Sequence, residues 1–422
     1  MEVIRGVNRY PFKFIKGWEM KKLYWIIGFL ILLVVLLFLV PGRKQYVVLV
    51  SLDAFRWDYP SLYETPNLDM IAREGVSAES LVPSYPTKTF PNHYAIATGL
   101  YPDHNGLIDN TFYAPDLDKV YRMGDREMVE NGDFYFGEPV WVTAHRNGLV
   151  TASMFWVGSE APVQGIQPDH WSRYDGSIPY EARIDSVINW LSLPEGERPR
   201  FITLYFDEPD GISHDFGPVS HETDSVVQYL DVIIGDLKTR IENLPVHRRV
   251  NLIVLSDHGM GEIDNERTVN LWEVLPTEYI EKYYGGNPVY QVDAVDQYID
   301  SVLAIIDRTP GVKGWRKEDL PLHYHYGTSP RIPEIIVEAD SSWSIVWVPR
   351  EGYTMRGKGA HGYDPSNRDM HSIFYAVGPS FREGYISPSF NNVDLYNIIC
   401  KVLGIEPSPN DGDPRIIKRL LK

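Results

Sequence analysis

Residues 46–53 read Tyr-Val-Val-Leu-Val-Ser-Leu-Asp (YVVLVSLD). An uncharged run rich in β-branched side chains, ending on an acid, describes a strand buried on both faces, as in the interior of a parallel sheet. Three further runs share that character: Phe201-Ile-Thr-Leu-Tyr-Phe206, Asn251-Leu-Ile-Val-Leu-Ser256 and Ile373-Phe-Tyr-Ala-Val377. Among them lie stretches of helical period, NLDMIAREG from residue 67, IDSVINWLSL from 184 and ETDSVVQYLDVIIGDLKTRIENL from 222. This alternation predicts an α/β fold with a mainly parallel central sheet and helices on both faces. Residues 271–360, rich in Tyr, Trp, Pro and Gly, break the alternation and read as a small inserted cap beside the sheet rather than an independent domain.

The bulk properties narrow the function. With 422 residues, 44% hydrophobic content and 11 Trp, 27 Tyr and 16 Phe, there is ample material for a core, so whole-chain disorder is excluded. A formal net charge of −17 argues against a general nucleic-acid coat, which needs basic surface. Anionic substrates remain open to such a chain where metals or helix N-termini supply local positive charge. The single cysteine, Cys400, permits neither an intrachain disulfide nor a thiolate metal cluster, and its apolar surroundings mark it as a packed small hydrophobe.

Leu23 to Val40 (LYWIIGFLILLVVLLFLV) is an uncharged run of 18 residues. As a helix it would span about 27 Å, close to the roughly 30 Å hydrocarbon core of a bilayer. It is longer than a usual signal-peptide core and ends in Pro41-Gly42-Arg43-Lys44 with no small-x-small cleavage site, so an uncleaved transmembrane anchor is expected. Arg5, Arg9, Lys13, Lys16, Lys21 and Lys22 precede it, whereas only Arg43 and Lys44 follow closely. The charge bias puts a short segment, 1–22, in the cytoplasm and the catalytic unit, 46–420, in the periplasm or outside the cell. Initiation at Met20 would leave those charges nearly balanced.

Three strand candidates end on acids. Leu52 runs into Asp53, Phe206 into Asp207-Glu208-Pro209-Asp210-Gly211-Ile212-Ser213-His214, and Ser256 into Asp257-His258-Gly259-Met260. Ligands of open α/β sheets gather outside the carboxyl ends of the strands, so Asp and His side chains from three strands are aimed toward one edge. Each piece also has an ordinary reading: Asp53 as a turn or cap residue, and Asp210 with His214 as a surface pair one helical turn apart. Adjacent Asp257 and His258 can converge on one centre only if the backbone turns, which Gly259 permits. The segment GKGAHGYDP sets His361 among small residues, able to approach from outside the sheet. His93, His145 and His371 read as solvated or packed. A mixed Asp/His set without Cys suits zinc, and two metals about 3.5–4 Å apart form a clamp for in-line displacement at phosphorus.

Such a centre needs a nucleophile, and residues 86–94, PTKTFPNHY, can supply one. Taken alone the stretch is a Thr-capped helix start with Pro in its first turn, and either threonine could be the reactive one. If Pro91 opens the helix, Thr89 lies at an N-terminus whose free N–H groups favour a phosphoryl anion.

In family order, SLDAFRWDY, TPNLDMIAREGV, PTKTFPNHYAIATGLYP, GEPVW, LYFDEPDGISHDFGP, SDHGM and HGYDP resemble the motifs of the nucleotide pyrophosphatase/phosphodiesterases of the alkaline phosphatase superfamily, over nearly all of residues 46–420. The resemblance implies an alkaline-phosphatase-like sheet and two Zn2+. It makes Thr89 the nucleophile, with Asp53, Thr89, Asp257 and His258 holding one zinc and Asp210, His214 and His361 the other. Asn110 would donate to a non-bridging phosphate oxygen alongside the backbone N–H of Phe90; Phe90 and Tyr174 would sandwich a base, and Lys88 would lie near the substrate. The sequence departs from the family at Ser213, where Gly is usual, and at His104-Asn105-Gly106, where His-Gly is usual. FDEPD replaces the commoner pair of glutamates before Pro.

The implied function is a membrane-anchored, extracytoplasmic two-zinc nucleotide pyrophosphatase/phosphodiesterase. It would release nucleoside 5′-monophosphates through a phosphothreonyl intermediate, with a small phosphodiester as substrate, the membrane as its other contact and no protein partner evident. The nearest alternative is a phosphodiesterase of choline phospholipids or other lipid headgroups, since aromatic rings also cage quaternary ammonium groups. An inactive surface-binding module is the alternative of another class. A phosphomonoesterase lacks the extra groups a dianionic phosphate needs, and a sulfatase lacks its Cys/Ser-x-Pro-x-Arg signature.

Overall fold

In the computed structural model, residues 44–422 are described, together with Lys22, Trp25 and Ile27, which are helical. The rest of segments 1–22 and 23–40, where the cytoplasmic stretch and the anchor are expected, lies outside the described residues. Among the described residues no helix is long and apolar enough to cross a membrane.

Residues 45–422 form one compact unit around an eight-stranded sheet. In spatial order its strands are Tyr385–Ser387, Val76–Ala78, Phe374–Val377, Val250–Leu255, Tyr46–Leu52, Phe201–Phe206, Thr151–Met154 and His170–Ser172. Phe374–Val377 runs antiparallel to both of its neighbours, and every other pairing is parallel. The opening stretch occupies the middle of the sheet and is buried throughout. Its side chains alternate between two cores: Val47 and Leu49 pack with the helices Thr89–Thr98 and Leu395–Leu403. Tyr46, Val48, Val50 and Leu52 pack with Pro66–Glu74, Tyr180–Ser192 and His221–Glu242. Period-two alternation between two apolar layers is why the run carries no polar face. Cys400 is buried on Leu395–Leu403.

Within the segment read as an insertion, Ile280–Gly286, Val289–Ala294, Ile335–Ala339 and Val312–Arg316 make a separate four-stranded antiparallel sheet. It packs the helix Ile299–Ile306 over its own apolar cluster of Val292, Val302, Ile306, Ile335 and Val337. The hairpin tip of that sheet and the strand Gly359–Ala360 bring this region against the carboxyl edge of the large sheet.

Candidate active site

Register brings the acids together. Ser51 pairs with Tyr205 on one side and Leu255 on the other, and Leu52 pairs with Phe206. The three strands therefore end nearly level. Asp53 N–H still donates to Phe206 O at 3.0 Å, so the turn begins only beyond it. Asp210 opens the helix Asp210–Phe216, which places His214 one turn later with Nε2 3.4 Å from Asp210 Oδ1. His361 follows Gly359–Ala360, and its Nε2 lies 3.5 Å from the same oxygen. His258 Nε2 lies 3.1 Å from Asp257 Oδ2, 3.5 Å from Asp53 Oδ1 and 3.3 Å from Thr89 Oγ1. The His258 and His361 rings stack at 3.7 Å.

These contacts form two groups in which one ligand atom per residue lies within 4.8 Å of the others: Asp53, Asp257 and His258; and Asp210, His258 and His361. All seven residues expected as ligands thus meet at one place. The grouping differs from expectation in two respects: His258 belongs to both tight sets, and His214 stands just outside the second.

The donor chemistry fits cations. Asp53 Oδ1, Asp210 Oδ1 and Asp257 Oδ2 are buried and accept no hydrogen bond, an unfavourable state for carboxylate oxygens unless something positive meets them. The imidazoles are oriented to match. His214, His258 and His361 donate from Nδ1 to the carbonyls of Gly359, Gly259 and Thr87 at 2.8, 2.9 and 2.9 Å. Such a bond fixes the tautomer and leaves Nε2 with a free lone pair. The second oxygen of Asp53 accepts from Tyr205 O–H at 2.5 Å, and Asp257 Oδ1 accepts from Ala54 N–H and Ser256 Oγ.

The electrostatics agree. Burial, with Asp257 and Asp210 nearby, holds the Asp53 carboxyl well above the usual carboxylate range, and burial raises Asp210 too. Asp257 is buried as well, but His258 and His93 beside it hold its carboxyl below the usual range. Burial, then His258 and His214, push His361 well below the ordinary imidazole value, so its ring is neutral near pH 7. The set crowds like-charged carboxylates around the neutral ring of His361, and an added cation would relieve that conflict.

Thr89 is the first residue of the helix Thr89–Thr98, with Lys88 as N-cap; Pro91 falls in the first turn. The Phe90 N–H is not free, because Asn110 Oδ1 accepts it at 3.0 Å. Asn110 is thus bonded to the group it was expected to work beside, with its amide nitrogen left as the donor. Lys88 is turned away from the cavity: its ammonium meets Asp109 at 2.9 Å, so the structure does not bring it to the substrate's expected place.

Beside the carboxylates opens a cavity of about 390 Å³ lined by Thr89, Phe90, Tyr174, Tyr205, Arg126 and Glu160 among others. Phe90 and Tyr174 both face it, with Tyr174 42% exposed and its ring edge-on to Phe155. At one wall buried Glu160 accepts from Arg126 and from Tyr174 N–H. Sequence reasoning missed Tyr205, Arg126 and Glu160. Tyr205 sits in a strand whose pattern reads only as buried, and nothing local signals that its hydroxyl reaches 152 positions back to Asp53. His93 is packed, as expected, but beneath the site: Nδ1 donates to Thr89 O at 2.9 Å and lies 3.2 Å from Asp257 Oδ2, while Nε2 accepts from Ser51 Oγ at 2.9 Å.

Residues 47–364 match the family model described as type I phosphodiesterase / nucleotide pyrophosphatase. Human ectonucleotide pyrophosphatase/phosphodiesterase family member 1 is 37% identical over 386 residues, covering 89% of this chain and 42% of that protein. A venom phosphodiesterase of Crotalus durissus collilineatus is 37% identical over 390 residues, covering 90% of this chain and 47% of its own length. The chain thus spans less than half the length of these curated relatives. Among solved structures, murine ectonucleotide pyrophosphatase / phosphodiesterase 5 superposes with a TM-score of 0.84 at 30% identity, covering 90% of this chain and all of that one. An inactive threonine-to-alanine form of the murine protein in complex with AMP superposes with a TM-score of 0.85.

Proposed function

The chain belongs to the type I phosphodiesterase / nucleotide pyrophosphatase family, and on that premise we propose that it is a two-zinc hydrolase cleaving nucleotide phosphodiester or phosphoanhydride bonds to release nucleoside 5′-monophosphates. The carrying observation is the convergence of three unpartnered buried carboxylate oxygens on imidazole Nε2 atoms whose Nδ1 partners are all backbone carbonyls. Asp53, Asp257 and His258 with Thr89, and Asp210, His214 and His361, would hold the two cations. When bound, the cations would supply Lewis acidity and stabilise the attacking and leaving oxygens of an in-line displacement.

The protein's own groups do the rest. Thr89 Oγ gives up its proton to solvent and attacks phosphorus, the bond from phosphorus to the leaving oxygen breaks with that oxygen keeping the electron pair, and a phosphothreonyl ester forms. Water then attacks the same phosphorus, Oγ departs as the restored hydroxyl, and the 5′-monophosphate is released. The amide nitrogen of Asn110 donates to a non-bridging oxygen, an oxyanion-type contact. Phe90 and Tyr174, both facing the cavity, hold the base, and the walls keep bulk water from the phosphoryl group. The murine relative solved with AMP after loss of a threonine supports both the nucleophile and the nucleotide.

The test compares nitrophenyl esters of thymidine monophosphate, phosphorylcholine and plain phosphate. The thymidine ester is expected to be cleaved fastest, with a zinc content near two per chain. Thr89→Ala should lower kcat by at least about 1,000-fold while keeping the metals. Fastest cleavage of phosphorylcholine would move the substrate class to lipid headgroups, fastest cleavage of plain phosphate would overturn the reaction class, and unchanged turnover in Thr89→Ala would remove the nucleophile.

A further inference from the structure

Lys88 sits next to the nucleophile, yet its side chain is built into the protein. It is 4% exposed, and its partner Asp109 is 1% exposed. The ammonium meets Asp109 Oδ2 at 2.9 Å and Oδ1 at 3.1 Å, and donates to Gly286 O at 3.1 Å and Val289 O at 3.5 Å. An ammonium has three donors, and four oxygens already surround this one, so none remains for a phosphate.

The pair occupies a junction. Thr89 follows Lys88 and Asn110 follows Asp109, so the ion pair joins the segment carrying the nucleophile to the segment carrying the phosphate donor. A second tie lies one step on, where Phe90 N–H donates to Asn110 Oδ1 at 3.0 Å. Thr89 is held between the two. The carbonyls of Gly286 and Val289 flank the tip of the inserted hairpin, so the ammonium also fastens that hairpin to the site. Gly362, beside His361, has φ +122, and a Cβ there would lie 2.6 Å from Pro288 Cδ and 3.2 Å from Lys88 Cε. Lys88 therefore touches the surroundings of the nucleophile, the donor and one imidazole loop at once.

Resting on the reading above, we propose that Lys88 is a positioning residue: with Asp109 it sets the placement of Thr89 Oγ against the Asn110 amide, and it makes no contact with substrate. Removing a partner from a buried ion pair strands the other charge, whereas neutralising both relieves it. Displacement of reacting groups by about 1 Å can cost on the order of 100-fold in rate.

The test measures Lys88→Met, Asp109→Asn and the double variant on two substrates, the nitrophenyl ester of thymidine monophosphate and a nucleoside triphosphate, whose leaving group is highly charged. Lys88→Met should lower kcat by roughly 30-fold, by the same factor on both substrates, with KM within about two-fold. Adding Asp109→Asn should recover about five-fold of that loss, a coupling expected only if the two act through each other. A loss several times greater on the triphosphate, or a rise confined to KM, would make Lys88 a substrate contact and overturn the proposal. So would a double variant no better than Lys88→Met. Asp109→Asn, which keeps the shape of the site, is expected to lower kcat with KM unchanged; full activity there would also overturn it. If the unaltered protein cleaves neither substrate, the functional reading fails instead. A crystal structure of Lys88→Met then decides positioning by whether the Phe90 N to Asn110 Oδ1 bond is kept, a kept bond overturning it.

Discussion

Thr87 and Thr89, two residues apart in PTKTFPNHY, have different tasks. Thr89 turns its hydroxyl to His258. Thr87 is buried, donates to Tyr363 O at 3.0 Å and accepts from Gly362 N–H at 2.9 Å, while its carbonyl takes the Nδ1 proton of His361. Sequence pattern reveals neither orientation, because both threonines look like cap residues until the His361 loop, some 270 positions away, is brought against one of them. The titrating groups carry a prediction at this scale. Asp53 and Asp210 have their folded values raised by burial, so each binds more protons folded than unfolded. Between its ordinary and raised values, each makes the metal-free protein less stable as pH rises. Asp257 works in the other sense: its depressed value stabilises the fold above the ordinary carboxylate range, and that support is lost only as pH falls through the folded value. His361 opposes the two acids, because its folded value lies well below the ordinary imidazole value and its support is lost as pH falls through that range. The acids' share is therefore read as a difference: the metal-free protein should gain more Tm, or lose less, on acidification than metal-free Asp53→Asn, while zinc removes that difference. Tyr205→Phe removes the hydroxyl that lowers the Asp53 carboxyl, so its metal-free form should show the steeper dependence. Thermal unfolding across mildly acidic to neutral pH checks the sign, and a metal-free protein whose Tm gains no more on acidification than that of Asp53→Asn would contradict it.

At the scale of elements, the strand tips were legible and their supports were not. Fully apolar runs ending on acids announce buried parallel strands, and the observed bounds Tyr46–Leu52, Phe201–Phe206 and Val250–Leu255 fall within a residue of the sequence reading. What joins the tips to one another is long-range: Ala54 N–H to Asp257, Phe55 N–H to Ser256, and Tyr205 to Asp53 span 152 to 203 positions. Gly259 shows how a correct residue can have a different reason. Sequence suggested conformational freedom for a turn, but its φ is not positive. Its missing side chain instead admits the carbonyls of Asp369 and His371, which would lie 2.1 and 2.6 Å from a Cβ. The Gly259 N–H donates to Met370 O at 2.8 Å, and its own carbonyl takes His258 Nδ1. Gly259→Ala must therefore push the Asp257–Met260 turn off the 369–371 segment and tilt His258 out of both ligand groups. The expected result is a folded sheet that binds zinc at least about ten-fold more weakly and turns over correspondingly less. Zinc titration beside circular dichroism checks this, and unchanged zinc affinity would show that the turn can shift without moving the imidazole.

The whole molecule joins a compact catalytic unit of residues 45–422 to an N-terminal segment that carries a long apolar run. The unit supplies its own two apolar cores on the large sheet and a third in the insertion. The run from Leu23 to Val40 has the length and hydropathy of a membrane span, and the basic residues on its N-terminal side favour retention of that end in the cytoplasm. An acidic unit carrying a net charge of −17 with its tail included has no electrostatic attraction to an anionic lipid surface. The proposed attachment is therefore assigned to the apolar run rather than to the folded unit. We predict that the full chain sediments with membranes and stays there in high salt, which strips electrostatic binders within a Debye length of about 3 Å at 1 M, and that detergent releases it. A chain beginning at Gln45 should be recovered in the soluble fraction with kcat within about two-fold of the full chain, because the catalytic groups and their supports all lie beyond that point. Protease added outside intact spheroplasts should digest the catalytic unit of the full chain. Protection of that unit would reverse the orientation, release by salt would replace the anchor with a surface contact, and an inactive shortened chain would mean that the N-terminal run contributes to the fold itself.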